Sequence, residues 1–424
     1  MDALDSAWTS NDGSPGGQSR GGCSSSSAVA LRWRGFYDGG MATCVRSYSK
    51  INLGLAIGAP RADGFHSLST LYQTLALHDL VTVAAKPAAE TRIALRSNDP
   101  RVPTDARNTA WKMVERALER LGRTAEVTVH IQKNLPIQGG MGAGSANAAA
   151  ALLGLERELR GTGGRNMLSN EERLAVAAEV GSDVPLFLIG GAVLGSDRGQ
   201  SVREAPAVTL GGLNQIPCVI ALPAVGVSTP QAFRDWDKRL AGGPTAKAPG
   251  PDLHNPPVRD TLEVLSRMYT SVLFPFEANS MSGASGIHSE PSSAVNLQDG
   301  PEKLHGLSRE QHHQPEEGAS GFTMDLAENS LLALVRTGME NDFETVVFPE
   351  YPLLRDIKRH LMGSSLVECA AYAALSGSGS ALFGLYRTDA DAQAAQQRLQ
   401  MHGVQALVTK TMPRSLYWDQ MFAE

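Results

Sequence analysis

A glycine-rich segment, Gly139 to Gly144, that runs directly into an alanine-rich stretch is the feature that most restricts the fold of this chain. The alternating segment from Val127 to Lys133 precedes it, so the predicted order is strand, glycine loop and helix. Glycines let the backbone approach an anion closely, and the first turn of a helix presents unpaired N–H groups. The segment therefore predicts a phosphate-binding loop, although a turn that permits tight helix packing could have the same sequence.

The loop differs from the two common nucleotide-binding fingerprints. It lacks the Gly-Lys-Ser/Thr of a Walker loop, and no acidic residue closes a βαβ unit about twenty residues further on. The net charge of −6 over 424 residues does not favour a polyanion, so we expect no nucleic-acid partner. Phosphate binding must then depend on backbone amides and a few well-placed cations.

Changes in composition divide the chain into parts. Residues 1–40 are rich in Gly, Ser and Asp, which predicts a disordered N-terminal extension. An N-terminal domain is predicted over residues 41–206, and a C-terminal domain over 207–424, because the apolar pattern restarts after Pro206. Residues 241–323 break that pattern with Pro, Gly, Ser and His clusters, so they are predicted to form a mobile insertion in the second domain.

The sequence also bounds the setting of the protein. The first 40 residues lack an apolar signal-peptide core, and no run approaches the ~18 apolar residues that a membrane helix needs. The four cysteines are widely spaced, without a CxxC pair, and are predicted to be free thiols. We therefore expect a cytoplasmic protein without a membrane partner, and the oligomeric state stays open between monomer and homodimer.

Three segments around the glycine loop have clear secondary-structure patterns. The segment from Asn108 to Leu121 places its apolar residues on one helical face, with Asn108 or Thr109 as the N-cap. A second helix is predicted from Asn170 to Val180. The apolar run that follows, Val184 to Leu194, is predicted to be a strand.

Two charged residues stand out beside apolar strands. Asp183 in Gly181-Ser-Asp-Val-Pro could act as a general base toward a hydroxyl if a cation keeps it ionised, although an Asp in a turn is often only a turn former. Lys50 lies in an otherwise apolar strand, and a buried lysine needs an anionic partner such as Asp183 or a phosphate. An edge-strand lysine that blocks aggregation is the alternative for Lys50.

Taken together, these motifs resemble those of the GHMP kinases, and within that superfamily those of the 4-diphosphocytidyl-2-C-methyl-D-erythritol kinases. The resemblance covers about residues 43–240 and 327–424. The glycine loop alone indicates only the superfamily, and the other segments narrow it to this member family. The similar segments are Lys50-Ile-Asn-Leu, Asp63-Gly-Phe-His, Leu135-Pro-Ile-Gln-Gly-Gly-Met-Gly-Ala-Gly-Ser-Ala-Asn, Gly181-Ser-Asp-Val-Pro-Leu-Phe and Leu375-Ser-Gly-Ser-Gly-Ser.

The resemblance implies an ATP-dependent small-molecule kinase of isoprenoid biosynthesis. Asp183 would accept the proton of the substrate's C2 hydroxyl, and Lys50 would orient Asp183 and stabilise the transferring phosphoryl group. ATP and Mg²⁺ are the implied cofactors, with Ser145 near the metal. The implied ATP-binding residues are Pro136, Gly139, Gly140, Met141, Gly142, Ala143, Gly144 and Ser145, together with Asn108 and Lys133 near the adenine.

The implied acceptor is a small molecule with a cytidine diphosphate group. Phe65, where the family usually has Tyr, and Phe233 would place the cytosine ring between two aromatic faces. His66 would meet the polar edge of that ring, and Asn52 would contact the methylerythritol part. Plain core packing is the alternative for the two phenylalanines.

The implied fold is α+β with two lobes, an N-terminal β/α ATP-binding lobe and a C-terminal ferredoxin-like α/β lobe, and the substrates would lie in the cleft between them. Two other functions stay open at this point. One is another GHMP kinase, such as a homoserine or mevalonate kinase. The other is a non-catalytic nucleotide-binding regulator, which would need the glycine loop but not both Lys50 and Asp183.

Overall fold

Two β-sheets organise the part of the chain that the structure describes. The computed structural model describes residues 42–137, 139–165, 167–204, 213–241, 340–364 and 369–423. The predicted extension at 1–40 and residues 242–323 of the predicted insertion lie outside the described residues. The predicted domain boundary at 206 does so as well, and all three stay predictions.

The first sheet contains seven strands, and its two longest strands form its centre. β1 (Thr43–Pro60) and β2 (His66–Pro87) pair antiparallel along most of their length. The remaining strands are β3 (Arg92–Ser97), β4 (Ala125–Gln132), β5 (Ala192–Ser196), β6 (Ser201–Glu204) and β11 (Phe422–Ala423). The path across the sheet is β11-β1-β2-β4-β3, and β5 pairs with both β2 and β6.

Among the described residues, three longer helices belong to the first lobe: α1 (Thr109–Leu121), α2 (Ala143–Glu158) and α3 (Asn170–Val180). The alanine-rich helix α2 lies directly on β1 and β2 and is buried along nearly its whole length. Small side chains permit this close approach: a Cβ at Gly154 would lie 2.6 Å from a methyl group of Val83. The glycine loop is thus connected to a helix that the core fixes in place.

Helix α1 confirms the sequence pattern in detail. Its six buried residues are those predicted to share one face, and the Asn108 side chain accepts a 2.8 Å hydrogen bond from the Ala110 N–H as the N-cap. Helix α3 has the predicted bounds and begins with a capping box between Ser169 and Glu172.

The second lobe is a four-stranded antiparallel sheet in the order β10-β7-β9-β8. In chain order these strands occupy positions 4-1-3-2, which is the arrangement of a ferredoxin-like fold. The two-lobed α+β architecture predicted above is therefore confirmed. The strands are β7 (Pro217–Leu222), β8 (Tyr372–Leu375), β9 (Leu382–Leu385) and β10 (Gln405–Lys410).

Helices cover one face of this second sheet, and the other face packs against the first lobe. Cys218, Ile220 and Phe383 share an apolar cluster with Ile51 and Leu71 of the first sheet. The C-terminal segment then returns to the first lobe, where β11 pairs with β1. The helices after β7 are α4 (Thr229–Ala241), α5 (Glu344–Glu350), α6 (Pro352–Met362), α7 (Asp389–Met401) and α8 (Arg414–Asp419).

The strand predicted from Val184 to Leu194 is wrong over its first half. Pro185–Leu188 form a short 3₁₀ helix, and only Ala192–Ser196 is a strand. Proline at the first helical position has its φ angle preset for a helix, and Gly190 and Gly191 both adopt left-handed φ angles of +73° and +72° that interrupt an extended chain. Apolar character alone could not distinguish the two structures.

Candidate active site

The glycine loop contacts the first sheet at an irregularity in β1. The register of β1 against β2 shifts between Tyr48 and Lys50, and the Lys50 N–H donates instead to the Met141 carbonyl at 3.1 Å. A bulge of this kind releases a backbone group from the ladder for another partner. The loop is thereby anchored to the strand that carries Lys50.

Two loop glycines are required by close contacts as well as by conformation. Gly142, the N-cap of α2, has φ +69°, and a Cβ there would lie 2.9 Å from the Phe187 ring and 3.2 Å from the Lys50 side chain. Gly140 has φ +75°, and a Cβ there would overlap the carbonyl oxygen of Ser376 in the second lobe. Any larger residue would displace the loop from Lys50 or from the second lobe.

A cavity of about 390 Å³ lies over this loop and the N-terminus of α2. It brings together nine of the ten residues predicted to bind ATP; the exception is Gly139, at which a Cβ would meet Ala381 at 3.5 Å. Sequence reasoning missed Arg101 and Arg107, which contribute cations to the same cavity. Their only signal was their position just before the cap of α1.

Asn108 and Lys133 line this cavity, but each also has a structural partner. Asn108 caps α1 and donates to the Pro103 carbonyl at 2.8 Å. The Lys133 ammonium forms an ion pair with Asp79, whose side chain is fully buried and also accepts from two backbone N–H groups. A buried carboxylate without a cation would be costly, so this pair holds the end of β4 beside the cavity.

Lys50 and Asp183, distant in sequence, lie together. The Lys50 Nζ is 3.3 Å from Asp183 Oδ2, and the two side chains are 3% and 34% exposed. Asp183 follows α3 in a turn in which the Val184 N–H donates to the Gly181 carbonyl at 3.0 Å. An ammonium buried by its own strand therefore faces a carboxylate that solvent or a ligand can still reach.

Asn52 and Tyr72 complete the surroundings of this pair. Asn52 Oδ1 accepts from Lys50 Nζ at 2.7 Å, and its Nδ2 donates to the Thr70 hydroxyl at 2.8 Å. Both polar atoms of the Asn52 side chain therefore already have protein partners, and one of them holds the Lys50 ammonium. The contact of Asn52 with the substrate stays a prediction. Tyr72, which the sequence reasoning missed, donates from its hydroxyl to Asp183 Oδ1 at 3.1 Å.

A second cavity, of about 600 Å³, opens between the lobes beside the glycine loop. Lys50, Asn52 and Asp183 line it together with Phe65, His66 and Phe233, so the predicted acceptor residues are in one place. Gly140 lines both this cavity and the 390 Å³ cavity. The two cavities therefore meet at the glycine loop, beside Lys50 and Asp183.

The aromatic residues of the second cavity are not arranged as two free faces. The rings of His66 and Phe233 are stacked with centroids 4.8 Å apart, and His66 Nε2 lies 2.7 Å from Asp237 Oδ1 of α4. Phe65 is 52% exposed, and the Arg198 guanidinium lies 4.7 Å from its ring centroid. One face of Phe233 is thus occupied by His66, and Arg198 lies over the ring of Phe65, which is still half exposed beside the cavity.

The segment from Asn341 to Glu344 joins the lobes behind this cavity. Asn341 donates to the carbonyls of Leu375 and Gly377 at 2.8 and 2.7 Å. Asp342 Oδ2 accepts from the Ile57 N–H of β1 at 2.8 Å, and burial of the carboxyl raises its pKa to about 6. These contacts give the segment a structural role in holding the two lobes together.

Membrane-spanning helices and metal-binding clusters are two features that the described residues lack. None of the helices in the described ranges has the length and apolar character to cross a membrane. Within the same ranges, no three His, Cys, Asp or Glu residues are grouped so that they could hold a metal ion.

Family models and curated relatives match this chain over both lobes. The model described as GHMP kinases N terminal domain matches residues 108–191, and GHMP kinases C terminal matches 324–405. A protein of Rhodococcus jostii named 4-diphosphocytidyl-2-C-methyl-D-erythritol kinase is 38% identical over 241 residues, which are 57% of this chain and 71% of that protein. A protein of Solibacter usitatus with the same name is 30% identical over 81% of each chain. One of Streptomyces coelicolor, also so named, is 42% identical over 47% of this chain and 63% of its own length.

Two solved structures have the same fold. A crystal structure of 4-(cytidine 5'-diphospho)-2C-methyl-D-erythritol kinase has a TM-score of 0.52 and 22% identity and covers 87% of this chain and 99% of its own. A homoserine kinase from Cytophaga hutchinsonii has a TM-score of 0.55 and 18% identity and covers 88% and 95%. At these identities the two structures support the fold and do not distinguish the acceptor.

Proposed function

The chain belongs to the 4-diphosphocytidyl-2-C-methyl-D-erythritol kinase family of GHMP kinases, and from this premise we propose how its site works. It transfers the γ-phosphoryl group of ATP to the C2 hydroxyl of 4-diphosphocytidyl-2-C-methyl-D-erythritol, in the non-mevalonate route to isoprenoids. The observation that carries the proposal is the contact of Lys50 with Asp183 where two cavities meet at Gly140.

We assign the 390 Å³ cavity to ATP. Its floor is the N-terminus of α2, whose free N–H groups and glycine loop suit a chain of phosphates. Mg²⁺ usually reaches such sites on the phosphates of the nucleotide and keeps several waters, so few protein ligands are required. The Ser145 hydroxyl, which lines this cavity, is the oxygen that we propose as a protein ligand of the metal.

We assign the 600 Å³ cavity to the cytidylated acceptor. Its mouth contains Phe65 for stacking on the base, and its inner end contains the carboxylate of Asp183. Arg198 and Arg234 line the cavity between the lobes and supply positive charge for a diphosphate. The acceptor hydroxyl and the γ-phosphate of ATP would then meet beside Gly140, which lines both cavities.

The reaction needs one proton acceptor and well-positioned charges. Asp183 takes the proton of the C2 hydroxyl as that oxygen bonds to the γ-phosphorus, the bond from phosphorus to the β,γ-bridging oxygen breaks, and ADP leaves. Lys50 keeps its ammonium beside the carboxylate and the incoming phosphoryl group, so the charge that develops there is stabilised without rearrangement.

An acceptor panel tests this function. Purified full-length protein is incubated with ATP and Mg²⁺ and with 4-diphosphocytidyl-2-C-methyl-D-erythritol, homoserine or mevalonate, and ADP release is measured. We expect turnover with the cytidylated acceptor and a kcat/KM at least about a hundredfold lower with the other two, because a site built for polar contacts rejects ligands that leave them unmade. Turnover with homoserine or mevalonate alone would assign the chain to a different acceptor.

A further inference from the structure

Tyr72 occupies the strand position directly opposite Asn52. It lies on β2, where it pairs with Asn52 of β1 on one side and with Val193 of β5 on the other. Directly opposed residues of an antiparallel pair point to the same face of the sheet. The phenol ring therefore emerges on the face where Asn52 holds the ammonium of Lys50.

The carboxylate of Asp183 has a different donor on each of its oxygens. Lys50 Nζ lies 3.3 Å from Oδ2, and the Tyr72 hydroxyl donates to Oδ1 at 3.1 Å. Tyr72 is only 2% exposed and the Lys50 side chain 3%, whereas the Asp183 side chain is 34% exposed. The Lys50 and Tyr72 side chains are thus held in the protein interior, whereas the Asp183 carboxylate that accepts their hydrogen bonds faces the cavity.

Backbone without side chains surrounds the tyrosine ring. A Cβ at Gly195 would lie 2.6 Å from Tyr72 Cε2, and a Cβ at Gly199 would lie 2.8 Å from its hydroxyl oxygen. The backbone at these two glycines therefore lies close against the ring and restricts its movement on that side, while Tyr72 also lines the 600 Å³ cavity. These close contacts restrict where the hydroxyl can lie.

One donor and two donors constrain a carboxylate differently. With Lys50 alone, the carboxylate could still rotate about its Cβ–Cγ bond while one oxygen kept the ammonium contact. A second donor on the other oxygen fixes the plane of the group, and each oxygen retains a further acceptor direction. Proton transfer depends on such alignment of the base with the reacting hydroxyl.

We propose that Tyr72 is a positioning residue for phosphoryl transfer, whose hydroxyl fixes the plane of the Asp183 carboxylate toward the acceptor hydroxyl. The inference rests on the proposed function of Asp183 as the base. Tyr72 acts through Asp183 and takes no proton from the substrate itself.

The test compares Tyr72→Phe with Tyr48→Phe. Tyr48 lies on β1 and is equally buried. Its hydroxyl donates to the Gln420 carbonyl at 3.1 Å, and Tyr48 lines neither cavity. Kinetics are measured below the melting temperature of both variants, so that both are folded, and single-turnover rates confirm that kcat reports the chemical step. We expect kcat of Tyr72→Phe to fall about tenfold, the effect expected of one hydrogen bond to a charged group, while both KM values stay within about twofold. Tyr48→Phe should keep the wild-type kcat.

The pH profile separates positioning from a loss of stability. Loss of a donor disfavours the ionised carboxylate, so the acidic limb of kcat/KM should move to higher pH in Tyr72→Phe and stay in place in Tyr48→Phe. A wild-type kcat and an unmoved limb in Tyr72→Phe would overturn the inference. So would a raised KM with unchanged kcat, since it would make Tyr72 a substrate contact.

A double variant gives a second, independent readout. In an Asp183→Asn background the carboxylate is absent, so adding Tyr72→Phe should cause no further loss of the residual rate. An equal loss in both backgrounds would show that Tyr72 acts independently of Asp183. If the wild-type protein uses homoserine or mevalonate instead, the proposed acceptor is wrong, and the same comparison with that acceptor still decides the role of Tyr72.

Discussion

The Ser376 hydroxyl donates a hydrogen bond to the Gly140 carbonyl at 3.0 Å and so joins the glycine loop to the second lobe. The loop is therefore held from both sides, by Ser376 and by the bond from the Lys50 N–H to Met141. Because Gly140 lines both cavities, a shift of this residue would change the distance between their ligands. The position of the second lobe and the geometry of the glycine loop depend on the same contact.

Gly140→Ala should impair both stability and nucleotide binding. The added Cβ would overlap the Ser376 carbonyl oxygen, and alanine disfavours the φ of +75°. We expect a loss of about 2–4 kcal/mol in the free energy of unfolding and a raised KM for ATP. Denaturant unfolding and ATP titration measure the two effects.

The matched control for this change is Gly163→Ala. Gly163 has a similar φ of +77°, but a Cβ there meets no atom within 4 Å, so only the conformational strain remains. Its loss should be about 1 kcal/mol, with an unchanged KM for ATP. Equal losses in the two variants would mean that the contact with Ser376 contributes nothing.

Asp183→Asn should reduce phosphoryl transfer to a small residual rate and leave ATP binding within about threefold of wild type, because the amide removes the proton acceptor but keeps nearly the same shape. Single-turnover assays and nucleotide titration measure the two quantities. Asp389→Asn, which alters a surface carboxylate paired with Lys410, is the control and should keep full activity. Normal turnover by Asp183→Asn would remove Asp183 from the role of base.

Phe65→Ala should raise the KM for the cytidylated acceptor about tenfold, since stacking of one base on an aromatic ring contributes about 1–3 kcal/mol, and should leave the KM for ATP unchanged. Phe65 is 52% exposed, so the change should cost little stability. Leu353→Ala removes another exposed apolar side chain, 55% exposed and outside both cavities, and should change neither constant. If both KM values rose equally, Phe65 would not contact the base.

Asp342 should make stability depend on pH between about 4 and 6. Its folded-state pKa of about 6 is above the ordinary 3.8, so the folded state binds the proton more tightly. The resulting stabilisation is complete below the unfolded pKa and is lost as pH rises through the folded pKa. Asp342→Asn should therefore be more stable than wild type at neutral pH by up to about 3 kcal/mol, and this difference should shrink toward pH 4. Urea unfolding at neutral pH and at pH 4 measures this stability difference. A difference that does not change with pH would contradict the raised pKa of Asp342.

Local patterns predicted the elements around the site well. The cap and buried face of α1, the bounds of α3 and the order of strand, loop and helix at Gly139–Gly144 all follow from rules that act within a few residues. The same rules failed at Pro185–Leu188, because its apolar residues are compatible with a strand as well as with the 3₁₀ helix that forms there. The choice there depended on a proline and on two left-handed glycines.

The sequence did not predict which residues contact the site residues. Nothing near Tyr72 in the sequence marks it as a donor to Asp183, and nothing near His66 identifies Asp237 as its neighbour. Lys133 looked like a ligand residue, yet its ammonium is paired with the buried Asp79. These contacts join residues that are between 54 and 171 positions apart.

By itself the sequence determined which residues have the chemistry for the reaction: a glycine loop before a helix, one lysine in an apolar strand and one aspartate in a turn. Only the tertiary structure decided that Lys50 and Asp183 meet at the junction of two cavities, that Tyr72 supplies a second donor, and that one face of Phe233 is occupied by His66. The physical reason is the sequence separation over which the interactions act. Helix caps and turns are set by neighbours along the chain, whereas ion pairs and ring stacking are set by how two lobes and distant strands pack together.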